Sequence, residues 1–455
     1  VTQTRHIHFI LLLILILAGG LRIALVYLQT DQLNQDRDAY LAIAGNLALG
    51  HGFSSSTGTN ENEFPPTAFR PPLYPVLLSA LYFFNAAPLG IGIAQIILGV
   101  LTVWLTWLTG KCLHMQWAAL VAAGIVATDP ILLQYTTFSM TEVLAAFLTS
   151  LLLYLLVTRF SVETLTGKEQ MNLASYFWTG IVWGLAILCR PTYLAFLGFW
   201  AVVRFTGPLL HKLRILKLAP IRKQEWRPVT YLAAGIMLAV SPWLIRNLIV
   251  FHAPILSTTH GGYTLLLGNN PVFYDEVVQK PWGTVWSEES LNAWQQQLEK
   301  EISQIAPPLK SEQERDQWMY QRAKHNIAEQ PAAFVSASIL RLKRLWNTSP
   351  LTNSSLLTNP LVKWGISGYY ILILFGCFSG VFLSIWNKEK KWAPLIWLIL
   401  SFTVVHLFYW TNMRMRAPLV PAIALLSIYG WSQIGRFFKF DSTANPTQDD
   451  QPKNL

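Results

Sequence analysis

The chain has 455 residues, of which 53% are apolar and only 13% charged, and its formal net charge is +10. Its apolar residues fall in runs of about 18 or more, enough to cross ~30 Å of hydrocarbon, so composition excludes a soluble globular enzyme and predicts an all-α polytopic membrane protein. The 19 Trp and 16 Tyr suit helix ends in a head-group belt, while Cys112, Cys189 and Cys377 form no CxxC and indicate neither a zinc site nor a disulfide framework.

In chain order, the first apolar run covers residues 7–28, after Arg5 and with Arg22 near its end. No small-x-small cleavage pattern surrounds it, so it reads as a retained anchor rather than a signal peptide. The polar segment 29–87 follows, opening on Gln35-Asp36-Arg37-Asp38-Ala39-Tyr40. A short helix is expected over 38–49, with Asp38 as its cap and Asp36 outside the cap. After it come a Gly/Ser/Thr/Asn-rich loop over 50–62 and a Pro-rich helix from Pro72. Further spans are expected at 88–110, 116–134, 141–158, 175–189, 191–206 and 229–249, and then at 364–386, 393–411 and 417–434. Pro130, Arg190 and Pro191 interrupt this apolar sequence and mark candidate broken helices. Between the two groups, 251–363 begins as a Gly-Asn-rich loop (His260-Gly261-Gly262, Gly268-Asn269-Asn270-Pro271) and continues into polar helices. Within it, 334–346 places apolar residues on one helical face and bases on the other, the pattern of a helix lying on a membrane. The expected organisation is a membrane module 1–250 that includes the loop 29–87, an outer helical region 251–363, C-terminal spans 364–435, and a disordered tail 436–455.

Lys and Arg set the expected orientation. Arg204, Lys212, Arg214, Lys217, Arg222, Lys223 and Arg227 crowd one loop, and Lys388, Lys390 and Lys391 another. Those loops are expected in the cytoplasm, with both termini. Segment 29–87 then faces outward, with Arg37 and Arg70 against Asp31, Asp36, Asp38, Glu61 and Glu63. The positive charge is thus largely a cytoplasmic rim and not a nucleic-acid footprint. The basic loop's 24 residues, 204–227, are too few for a nucleotide-binding domain.

Chemistry is expected at the outward ends of the spans. Asp36 and Asp38 lie just after the anchor, and Glu142 opens the fourth span, a position that the helix dipole alone would favour. Arg190, Arg246, Arg414 and Arg416 occupy non-cytoplasmic span ends, where arginine is disfavoured and costly to insert. Together with Arg70 they offer planar forks suited to phosphate oxygens. His260 and His406 are isolated, and no HExxH, GxGxxG, Walker or GxSxG pattern supports a metalloprotease, dinucleotide or serine-hydrolase reading.

The order of "YLAIAGNLALGHGFS", "FRPPLYPVLLSALY", "CRPTYL", "SPWLIRNLIVF", "GGYTLLLGNNP" and "MRMRAPLVPAIALL" over roughly 20–435 resembles the polyprenyl-phosphate-sugar-dependent membrane glycosyltransferases of the C superfamily, GT-C. These include the protein O-mannosyltransferases and the lipid A aminoarabinose transferases. The resemblance implies an inverting sugar transfer at the outer membrane face, with Asp36 at the place of the first-loop acid and Glu142 at that of a second carboxylate. Relatives usually carry an adjacent Asp-Glu pair there, whereas this chain reads Asp36-Arg37 with Asp38 two residues on, so the base is Asp36 or Asp38. An acceptor hydroxyl needs a base to attack an anomeric carbon, and a phosphate leaves without an acid where cations take up its charge. The arginines are accordingly expected on the carrier phosphate, and Tyr40, Tyr74, His260 and Asn269 in the acceptor or sugar pocket. The implied partners are a polyprenyl-phosphate-linked sugar, membrane lipid and a glycan, lipid or protein acceptor. No cofactor and no metal are called for, although the carboxylates offer oxygens that a divalent cation accepts. The expected location is the plasma (inner) membrane, with the active site extracytoplasmic. The alternative, a transporter or flippase of a lipid-linked or anionic substrate, predicts pseudo-symmetric halves that the sequence lacks.

Overall fold

The computed structural model describes residues 2–55, 64–166, 172–212, 226–351 and 359–441. Most of the basic loop (213–225), part of the first polar loop (56–63) and the expected tail beyond 441 lie outside the described residues. Regular structure among the described residues is helical apart from an isolated bridge between Ser54 and Pro66. The N-terminal part contains α1 (Thr2–Leu28), α2 (Tyr40–Ala48), α3 (Leu73–Phe83), α4 (Leu89–Cys112), α5 (Trp117–Thr128), α6 (Pro130–Tyr135), α7 (Glu142–Thr166), α8 (Leu173–Cys189), α9 (Thr192–Lys212) and α10 (Trp226–Phe251). The polar part follows with α11 (Gly261–Leu267), α12 (Pro271–Phe273), α13 (Glu288–Ser303), α14 (Glu312–Glu329) and α15 (Pro331–Leu345), and the chain closes on α16 (Pro360–Trp386), α17 (Ala393–Phe408) and α18 (Val420–Asp441).

Among the described residues, six helical segments are long and apolar enough to cross a membrane: Arg5–Leu28, Leu89–Cys112, Trp226–Phe251, Pro360–Trp386, Lys390–Phe408 and Met413–Arg436. Shorter apolar helices at Trp117–Thr128, Glu142–Thr158, Leu173–Cys189 and Thr192–Thr206 fill the other four expected positions. The interruptions have local causes. Asp129 adopts an extended backbone after α5 and caps α6 by accepting from the Leu132 amide at 3.0 Å, with Pro130 at the first helical position. Arg190 is extended because Pro191 follows it, and α8 ends there. One expectation fails: the Gly-Asn-rich stretch after His260 is not a loop but contains α11, whose first two glycines allow close approach to α14.

Packing follows the same economy of volume. α8 crosses α10 at Gly180 and Gly235, and a Cβ at Gly180 would meet the Leu232 carbonyl oxygen at 2.1 Å. α16 lies on α18 and α4 on α7, around a core of Leu, Ala and Val from α5, α7 and α18. Arg22 is fully buried in this core and donates to the carbonyls of Ala18, Val126 and Ala127, the last two at the C-terminal turn of α5. A cation inside an apolar helix is thereby satisfied by the negative end of a neighbouring helix.

In α15 the two arginines turn toward the protein, while Lys343 is exposed. Arg341 donates to the Gly268 carbonyl and to Asn269 Oδ1, and Arg344 to the Thr284 carbonyl, while Val335 and Ile339 are exposed. The amphipathic pattern is therefore real, with its polar face spent on α11, α12 and their connections.

Gly180→Ala should destabilise the protein by about 1–3 kcal/mol through overpacking against backbone that cannot yield. Gly198→Ala in α9, with no atom near the added methyl, should not. Thermal unfolding of both variants in detergent checks this, and equal midpoints would rule out the close α8–α10 crossing.

Candidate active site

The site is assembled at one end of the bundle from five separate helix or turn ends. Glu142 is the first residue of α7, and its Oε1 accepts from Arg190 Nη2 at 2.7 Å. Arg190 stands at the C-terminal cap of α8, gives its Nε to Thr141 Oγ1 at 3.0 Å, and touches Met415 Sδ with Nη1 at 3.8 Å. Met415 belongs to a 3-10 turn over Met413–Leu419. The same turn sends Arg414 Nη1 to Asp38 Oδ2 at 3.5 Å and brings its Nε to 3.8 Å from Glu142 Oε1. Arg70 Nη2 reaches Asp38 Oδ1 at 3.4 Å from the other side. Two carboxylates and three guanidinium groups thus meet, leaving a formal surplus of one positive charge.

The two acids differ in kind. The Glu142 side chain is 1% exposed and that of Asp38 20%, so only Asp38 is open to an incoming molecule. The Asp38 contacts, at 3.4 and 3.5 Å, are long for charge-assisted bonds, which prefer roughly 2.7–2.9 Å. Glu142 is tightly held at Oε1, while its buried Oε2 has no partner among the described residues.

Aromatic side chains pack beside the cluster, with Tyr40 and Tyr74 buried. Tyr40 lies edge-on to Tyr74 with ring centroids 5.4 Å apart, and the Arg70 guanidinium stands 5.6 Å from the Tyr40 ring. Burial pushes the Tyr40 phenol up to about 12, so it stays protonated. Tyr74 accepts from Gln95 Nε2 at 3.2 Å. His260 packs edge-on to Phe69 at 4.3 Å, and its Nδ1 is 2.9 Å from Thr264 Oγ1. Burial first, and then the charges of Arg70 and Arg414, hold its imidazole well below the usual range, so it is neutral at pH 7.

Five sequence expectations change here. Asp36, placed outside the cap, is the capping acid: its Oδ1 and Oδ2 accept from the amides of Leu41 (3.2 Å) and Ala42 (2.8 Å). Asp38 does not cap α2, because Ala39 at the cap position takes a left-handed backbone (φ 60°) and turns Asp38 toward the arginines. Arg246 is not in the cluster and donates to the carbonyls of Phe53 and Thr67 and to Asn247 Oδ1. Arg416 is buried elsewhere, with Nη1 on the carbonyls of Leu345 and Asn347 and its guanidinium 4.3 Å from the Tyr370 ring. Asn269 is likewise not a pocket residue. Fully buried, it donates to the carbonyls of Leu265 and Phe408 and accepts from Arg341 and Tyr274. Of the residues named from sequence, Asp38, Glu142, Arg70, Arg190 and Arg414 converge, with Tyr40, Tyr74 and His260 beside them. Thr141 and Met415 contribute contacts that no sequence motif signalled. Among the described residues no three His, Cys, Asp or Glu side chains gather as a metal site, and the Arg414 side chain approaches both Asp38 and Glu142.

Residues 69–246 match the dolichyl-phosphate-mannose-protein mannosyltransferase family, a segment that contains Arg70, Glu142 and Arg190. The archaeal oligosaccharyltransferase AglB from Archaeoglobus fulgidus, in complex with an inhibitory peptide and a dolichol-phosphate, superposes with a TM-score of 0.52 at 14% identity, over 97% of this chain and 52% of that one. The apo form of the same oligosaccharyltransferase gives 0.53 at 14% identity, over 96% and 53%. The fold is that of the GT-C membrane glycosyltransferases. The chain spans about half the length of the oligosaccharyltransferase that it matches. A looser likeness, TM-score 0.41 at 12% identity over 95% of this chain and 79% of the other, is to ArnT from Cupriavidus metallidurans bound to undecaprenyl phosphate. No curated protein sequence matches the chain.

Asp36→Ala should cost about 1 kcal/mol, the usual worth of a lost cap, and should speed hydrogen exchange at the Leu41 and Ala42 amides. Asp38→Ala should leave those two amides protected. Exchange measured on both variants decides it, and equal exposure would return the capping role to Asp38.

Proposed function

We propose that the chain transfers a sugar from a polyprenyl-phosphate-linked donor to an acceptor hydroxyl, with inversion, at the non-cytoplasmic face of a membrane. The observation that carries the reading is Asp38, half-open and weakly held between Arg70 and Arg414, beside the tight Glu142–Arg190 pair. The family match over 69–246 supports the donor class.

The chemistry is a single displacement. The acceptor hydroxyl gives its proton to the Asp38 carboxylate while its oxygen bonds to the anomeric carbon. The bond from that carbon to the phosphate oxygen breaks, and both its electrons leave with the polyprenyl phosphate. The donor is a phosphodiester with one negative charge, which balances the surplus positive charge of the cluster. As it departs the phosphate gains a second charge at the moment Asp38 loses its own by protonation. The surplus on the protein rises by one in step, so Arg70 and Arg414 are released toward the phosphate when it needs them. Fixed cations aimed at developing charge are the largest kind of contribution an active site makes. Glu142 holds Arg190 in place, and Tyr40 and Tyr74 flank the sugar.

Orientation is part of the proposal. The site lies at the bundle end that carries the polar segments, and Lys388, Lys390 and Lys391 lie in the connection between α16 and α17. A basic loop favours the cytoplasm, which puts the site outside, where a lipid-linked donor serves in place of a nucleotide sugar. A cysteine at Glu289 should react with a membrane-impermeant maleimide in intact cells and one at Lys388 only after permeabilisation. The reverse pattern would place the chemistry on the cytoplasmic face.

Asp38→Asn retains shape and removes the proton acceptor. Turnover should fall by a factor on the order of 10² to 10⁴, with polyprenyl monophosphate still bound, whereas Asp36→Asn should remain active. Transfer from radiolabelled polyprenyl-phosphate mannose into a membrane extract, with carrier affinity measured separately, tests both. A working Asp38→Asn protein would end the base assignment.

A further inference from the structure

The segment that delivers Arg70 to the site is pinned from outside the membrane bundle. Thr67 and Ala68, three and two residues before Arg70, have backbone polar groups occupied: the Thr67 amide donates to the Phe53 carbonyl at 3.1 Å, the Thr67 carbonyl accepts from Arg246 at 2.9 Å, and the Ala68 carbonyl accepts from the Thr259 amide at 3.0 Å. The remaining two groups go to one carboxylate. Glu312 accepts from Thr67 Oγ1 with Oε1 at 2.6 Å and from the Ala68 amide with Oε2 at 2.7 Å. The Thr67 hydroxyl, its proton thus committed, accepts in turn from the Phe69 amide at 3.0 Å.

A glutamate in the first turn of a helix has a ready explanation in the dipole, and Glu312 is the first residue of α14. That explanation does not require both its oxygens to be spent on a segment 244 residues away. It also leaves unexplained why the next residues run directly into the site: Phe69 meets the His260 ring, and the Arg70 guanidinium lies 5.2 Å from the Phe69 ring and 3.4 Å from Asp38. Arg246, from α10, holds Thr67 from the bundle side as Glu312 does from the polar side.

We propose that Glu312 is a positioning residue for Arg70, fixing the backbone of 67–68 so that the guanidinium stands over the carrier phosphate. The inference rests on the reading of Arg70 as a phosphate contact. Through Glu312, the α11–α15 region and the site are mechanically one piece, and α14 cannot shift without carrying Arg70 with it.

A double-mutant cycle tests this on the full-length protein in lipid nanodiscs, with polyprenyl monophosphate as the probe, titrated by native mass spectrometry. Glu312→Gln keeps the shape of the side chain, loses its charge and can satisfy only one of the two donors. It should weaken carrier binding about tenfold, the scale of one charge-assisted hydrogen bond. Arg70→Ala should weaken it at least as much, and Glu312→Gln should add nothing in the Arg70→Ala background. Thr67→Val, which removes the same link from the other side, should reproduce the Glu312→Gln loss and likewise add nothing to it. Additive losses, or wild-type affinity for Glu312→Gln while Arg70→Ala is impaired, overturn the positioning role and leave the phosphate role of Arg70 standing. Wild-type affinity for Arg70→Ala overturns the phosphate assignment, and the positioning inference with it.

Discussion

The contact between Glu142 and Arg190 organises everything around it. A carboxylate sealed from water and 2.7 Å from a guanidinium has given up its hydration, and removing either partner would leave an uncompensated buried charge costing roughly 3–5 kcal/mol. The start of α7 and the end of α8 are therefore held in register by a bond that neither can exchange for water. Because Arg190 also bonds Thr141 and touches Met415, the same pair locates the turn over Met413–Leu419, and that turn is what carries Arg414 to Asp38. One buried pair thus fixes the strong side of the site. The weak side, Asp38 between two guanidinium groups at 3.4 and 3.5 Å, is left adjustable.

That division of labour suits a reaction in which charge moves. A rigid ion pair cannot trade partners without a large penalty, while a long, partly solvated contact can be exchanged at little cost. Asp38 is tied loosely enough to surrender its arginines, and Glu142 tightly enough that Arg190 does not follow. The neutral His260 beside them adds no competing cation, and burial together with Arg70 and Arg414 is what keeps it neutral.

Much of the bundle was legible in the sequence, since apolar length alone separates a span from a loop, and Pro130 and Pro191 mark where spans break. The site was legible at the level of which segments carry it and not of which atom faces which. Capping rules assign the acid next to a helix start as its cap, so Asp38 looked structural and Asp36 catalytic. A single left-handed residue, Ala39, reverses the two, and no side chain there announces it. Arg414 and Arg416 looked equivalent because both end the same span. In a 3-10 turn residues two apart lie on different faces, so one meets Asp38 and the other the Leu345 and Asn347 carbonyls. Arg246 sat at a span end like Arg190, but the carbonyls of Phe53 and Thr67 claim it, contacts between segments far apart in the chain that local pattern cannot foresee.

α15 shows why amphipathicity in such a chain has two possible meanings. In water, a helix with Arg341 and Arg344 on one face and Val335 and Ile339 on the other would bury the apolar face and expose the bases. Here Arg341 and Arg344 are buried on carbonyl oxygens, and Val335 and Ile339 face outward. Both arrangements have the same periodicity, and only the solvent on the far side distinguishes them. Hydrocarbon on that side would make exposed Val and Ile favourable and an outward guanidinium costly, which matches Val335, Ile339, Arg341 and Arg344 but not Lys343, which is exposed. Arg341 and Arg344 grip Gly268, Asn269 and Thr284 from buried positions, where unmade hydrogen bonds are most expensive. The same residues hold the loops of the polar region together, and that region presents α14, with Glu312 at its start, to the segment that carries Arg70.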